Sequence, residues 1–69
     1  MRVLITARRP ADVAREVERQ RAKGVTSFAV REVDGGGMLD RERLGAARYA
    51  AGFHADVVLE PAAELAASR

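Results

Sequence analysis

The residues best suited to chemistry in this chain are the run Asp34-Gly35-Gly36-Gly37 and four arginines, Arg8, Arg9, Arg41 and Arg43. Consecutive glycines let backbone N–H groups converge on an anion, and a helix starting just after them adds the positive end of its dipole. Arg8, Arg9, Gly35, Gly36, Gly37 and Arg41 therefore form the candidate ligand-binding set, suited to a phosphate or another anionic metabolite. The run is neither a P-loop nor a dinucleotide fingerprint, because no Gly-Lys-Ser/Thr or Gly-x-x-Gly completes it. A plain flexible turn is the competing reading.

Other candidates are thinner. Asp34 and Glu60 each close a predicted strand and could share a metal, but turn and strand-end preferences account for each alone. His54, the only histidine, has no serine nucleophile or second ligand at a recognised spacing, and reads as a loop residue. A small hydrolase would need Asp34, Glu60 and His54 to converge. No catalytic, metal or cofactor motif is complete, so the chain reads as non-enzymatic. Tyr49 and Phe53 would pack together on a helix, in the core or at a subunit contact. An alternative function, a small basic nucleic-acid-binding module, would use Arg8, Arg9, Arg15, Arg19, Arg41 and Arg43. Interleaved acids and the lack of an aromatic stacking platform favour solvated arginines instead.

Composition narrows the class. At 69 residues the chain reads as one domain, able to bury only about 60% of its unfolded surface. It has no cysteine, so no disulfide can help, and association with other copies is the natural expectation. A formal charge of +2 is a weak argument for nucleic acid, since the pI of about 9.9 reflects the high pKa of arginine. The apolar run Val3-Leu4-Ile5 is too short for a signal-peptide core or a membrane span, which points to the cytoplasm and to no membrane partner.

The elements that must position the glycine run follow from the pattern. Arg2 to Ala7 and Val25 to Val33 read as strands, with Val3/Ile5 and Phe28/Val30 on their apolar faces. Between them Pro10 opens a helix to Lys23, Asp12 complements its dipole, and Gly24 caps it. Val13, Ala14 and Val17 form its inner stripe. Asp40 to Ala51 is expected to be helical despite Gly45, with Asp40 as N-cap, Leu39 and Leu44 as a hydrophobic staple, and Leu44, Ala47 and Ala51 facing inward with Phe53 just beyond. Asp56 to Glu60 is the third strand, and Pro61 starts a short helix through Leu65.

All three strands are strongly apolar on one face and mixed on the other, so helices are expected on one side only. The expected fold is a small α+β two-layer sandwich of ferredoxin-like type, ordered β-α-β-(helix or loop)-β with a short C-terminal helix. The alternative is an α/β three-stranded parallel sheet. The half-apolar reverse face is available to another subunit.

One resemblance adds to this reading. The pattern Gly24-Val25-x-x-Phe28-x-Val30-x-Glu32-Val33-x-Gly35-x-Gly37 resembles the second strand and loop entry of the PII nitrogen-regulatory signal transducers. Ala47-x-Tyr49-x-x-x-Phe53-x-x-x-Val57-x-Leu59-Glu60 is similar to the segment leading from that family's long loop into its third strand, and Arg9-Pro10 with Asp12-Val13 to the start of its first helix. The resemblance implies a ferredoxin-like homotrimer with a signalling role, in which adenine nucleotide and 2-oxoglutarate control a loop that touches partner proteins. It also implies that residues 40–51 are loop.

Overall fold

The computed structural model describes residues 1–62, in the order β1 (Val3–Ile5), α1 (Pro10–Ala22), β2 (Ser27–Arg31), α2 (Met38–Ala51) and β3 (Asp56–Glu60). The short helix expected from Pro61 lies outside the described residues. The strands form one sheet in the order β1-β2-β3, and both neighbouring pairs are parallel. This is a small two-layer α/β arrangement, and the parallel sheet fits the second of the two expected architectures. Two successive crossovers that advance in the same direction place both helices on one face. There α1 and α2 pack against each other.

The local signals act largely as their chemistry requires. Pro10 stands at the first helical position of α1, and the carbonyl of Arg9 accepts the first N–H of the ladder, from Val13 at 2.9 Å. At the other end Gly24 has a φ of 93°, and the N–H groups of Val25 and Gly24 return to the carbonyls of Gln20 and Arg21. That pair of bonds is the Schellman ending that a left-handed glycine permits. The strands β1 and β2 are shorter than their sequence patterns, because the parallel ladder stops where the flanking chain turns away.

Residues 38–51 are helix, not the loop that the PII resemblance implies. Ala, Arg, Glu and Leu outweigh the single Gly45 there. The helix starts two residues earlier than expected. Gly37, not Asp40, occupies the N-cap position, so the Leu39/Leu44 staple that required Asp40 as cap does not form.

The core is built from Ile5, Phe28, Val30 and Val57 on the sheet, Val13 and Val17 on α1, and Ala47, Ala50 and Ala51 on α2. Leu44 and Leu59 pack at its margin. On the reverse face the register sets three rows across the strands. Arg2 donates to Ser27 Oγ at 3.2 Å and to Asp56 Oδ2 at 2.7 Å. Leu4, Ala29 and Val58 form the middle row. Arg31 donates to Glu60 Oε1 at 3.3 Å in the last. Parallel sheets are normally covered on both faces, and here the second face offers a single apolar row between two polar ones. No helix among the described residues is long and apolar enough to cross a membrane.

Candidate functional site

The glycine run leaves the C-terminal end of β2 and enters α2, the edge of a parallel sheet where loops gather. Gly35 and Gly36 have φ of 69° and 83°. This left-handed pair turns the chain sharply between β2 and α2, a conformation that glycine adopts without strain.

The N–H groups around that turn converge on an anion that is a side chain of the protein itself. Asp40, fully buried in the first turn of α2, accepts hydrogen bonds from the N–H groups of Val33 at 2.8 Å, Asp34 at 3.1 Å and Gly36 at 2.8 Å. Burial pushes its carboxyl up, but the bonds from Val33, Gly36 and Asp34 outweigh that and hold it well below the usual carboxylate range. Asp34 performs a second such task. Its carboxylate accepts from the N–H groups of Gly37 at 3.0 Å, Leu39 at 3.0 Å and Asp40 at 3.2 Å, which satisfies the open first turn of α2 in place of a residue at the cap itself.

Arg43 completes the arrangement. Its side chain is fully buried and pairs with Asp40 at 2.9 Å. The Nε and Nη2 groups donate to the carbonyl of Ala7 at 2.9 and 2.7 Å, and Nη1 donates to the carbonyl of Arg31 at 2.5 Å. One guanidinium thus ties the chain after β1, the end of β2 and the start of α2 together. A buried charge is tolerated only when paired and hydrogen-bonded, and both conditions hold here.

The candidate ligand residues separate accordingly. Gly36 and Gly37 donate to internal carboxylates, and Arg43 is structural. Arg8, Arg9, Gly35 and Arg41 are exposed. Beside the loop lies an open groove of about 600 Å³ lined by Arg8, Arg31, Glu32, Val33, Asp34, Gly35 and Ala62. Arg31 comes from the end of β2, and Arg8 and Ala62 from the chain that follows β1 and β3. Arg31, which the sequence does not single out, is part of this lining, and its Nε is buried without a hydrogen-bond partner. Its place at the C-terminal end of the central strand β2 brings Arg31 beside the glycine run, and only the sheet order reveals that.

Of the arginines in the nucleic-acid reading, Arg15 pairs with Asp12, Arg19 with Glu16, and Arg43 with Asp40. Asp34 and Glu60 lie at the C-terminal ends of their strands, whereas His54 precedes β3 at the opposite end, separated by the length of a strand. The hydrolase residues do not converge. Among the described residues no group of three or more His, Cys, Asp or Glu could hold a metal ion.

No family model, curated protein or solved structure matches the chain. Its site must therefore be read from its own geometry.

That geometry has a second part at the far edge of the sheet. Tyr49 and Phe53 are not core residues: they are 91% and 104% exposed. Ala50 and Ala51 take the inner positions at the end of α2 instead, because Arg43 and the small alanines set which side of that helix faces the sheet. Both aromatics line an open groove of about 690 Å³ that runs from α2 to β3.

Proposed function

We propose that the chain is a non-enzymatic regulatory or interaction module that self-associates and takes an anionic metabolite or a partner protein at the C-terminal edge of its sheet, beside Gly35–Gly37. The observation that carries this reading is the groove beside the glycine run, lined by the end of β2 and by chain that follows β1 and β3, with Arg8 and Arg31 on its wall. Ligands of open parallel sheets sit outside the carboxyl ends of the strands. In this reading Arg8, Arg9, Arg31 and Arg41 supply charge and Gly35 an approachable backbone, while Gly36 and Gly37 hold the loop in place for them. A nucleotide or another phosphate compound is the fitting ligand class.

The likeness to PII transducers supports a signalling role, and the β1-α1-β2 unit is compatible with the start of a ferredoxin-like fold. The parallel order of the whole sheet favours the three-stranded α/β arrangement over that fold. Calorimetric titration with ATP and with inorganic phosphate at low salt tests the anion site. Binding of at least one, weakened at least about tenfold when Arg8 and Arg9 both become alanine, is the expected result. Absence of heat with both probes would remove the anion site, and retention of single-stranded oligonucleotide instead would favour the nucleic-acid reading.

A further inference from the structure

The groove between α2 and β3 carries on one patch everything needed to bind its own copy. Its raised part is aromatic, Tyr49 and Phe53, both projecting fully into solvent. Its hollow is lined by the same aromatics with Ala55 and Val57, and its volume of about 690 Å³ leaves room for a second pair of aromatic rings. It also carries both signs of charge. Arg48, which has no ion-pair partner among the described residues, stands on the α2 side, and Asp56, 60% exposed although paired with Arg2, on the β3 side. A two-fold interface uses the same patch twice and must therefore be self-complementary. This patch has a knob with its hole and a cation with its anion.

We propose that this groove is the interface between two copies of the chain, with Tyr49 and Phe53 of each copy seated in the groove of the other and Arg48 facing the Asp56 of its partner. The proposal rests on the self-association in the proposed function and specifies its surface. The aromatics alone supply most of the area that such an interface needs. Aromatic side chains bury about 150–250 Å² each, so four of them bring roughly 600–1,000 Å², close to the ~1,000 Å² that separates a specific interface from an incidental contact. Docking through side chains is also favoured over joining the free edges of two β3 strands. Antiparallel pairing centred on Val58 would set Asp56 of one copy opposite Glu60 of the other, and like charges directly opposite destabilise a sheet.

The test is light scattering of the whole chain from ~1 to ~100 µM, the range of ordinary specific association, on the wild type and on a Tyr49→Ser/Phe53→Ser variant. Both side chains are exposed, so circular dichroism of the variant should match the wild type. The wild type should reach about twice the 7.5 kDa chain mass, and the variant should dissociate at least about a hundredfold more readily, as loss of interface aromatics does. A wild-type oligomer unaffected by the double substitution would overturn this surface and leave self-association standing. A trimer would overturn the two-fold arrangement. A monomer throughout would overturn both this inference and the self-association in the proposed function, without touching the anion site.

Discussion

Replacing Arg43 by methionine would leave the Asp40 carboxylate buried without its cation and remove the donors to the carbonyls of Ala7 and Arg31. Breaking a buried pair from one side costs about 3–5 kcal/mol, a large share of the ~5–15 kcal/mol that holds a domain together. Urea denaturation of Arg43→Met should therefore show a midpoint shifted far down, with Arg43→Lys only partly better because an ammonium cannot reproduce the fork. Asp40 gives a matching pH signature. Its folded pKa is depressed, so its contribution is fully present above the unfolded value near 4 and is lost as pH falls through the folded value below it. Thermal melts should show stability falling on acidification below about pH 4, and Asp40→Asn should flatten that slope while lowering stability at neutral pH. Neither residue announces this role in the sequence. Asp40 followed three positions later by Arg43 looks like a surface pair on an exposed helix turn, and only the approach of Ala7 after β1 and of Arg31 at the end of β2 turns it into an interior clamp.

At the scale of elements, α2 contains a correctable weakness. Gly45 is exposed in mid-helix, and a Cβ added there meets nothing within 4 Å. Gly45→Ala should stabilise the protein by about 0.5–1 kcal/mol, read as a higher melting temperature. Gly37→Ala should do the reverse, since its Cβ would come within 2.9 Å of Asp34 Oδ2 and displace the carboxylate that satisfies the first turn of α2. Helix positions were legible because periodicity and end signals agree: Pro10, Gly24 and Gly52 each mark an element end, and β3 runs from Asp56 to Glu60 as its alternation predicts. The cap of α2 was not, because Asp34 reaches it from three residues before Gly37, outside the usual spacing. Strand direction was not legible either. One-sided strands suggested the ferredoxin-like sandwich before the parallel alternative, yet one apolar face serves a parallel sheet equally well when both helices lie on the same side.

For the molecule as a whole, the sequence left Tyr49 and Phe53 to the core or to a subunit contact, since spacing alone does not say which side of α2 turns inward. The fold leaves both in solvent at one edge of the sheet, with the groove lined by Arg8 and Arg31 beside the glycine run at the carboxyl end of β2. The proposed self-association and the proposed ligand binding therefore fall on separate surfaces. Tyr49 is the only tyrosine and the chain has no tryptophan, so its fluorescence reports on the aromatic surface directly. Acrylamide quenching of that emission, followed from dilute to concentrated protein, is the measurement closest to the central claim. The quenching slope should fall as concentration rises, and Phe53→Ser should keep it high throughout. A slope equally high in dilute and concentrated wild-type protein would contradict the account.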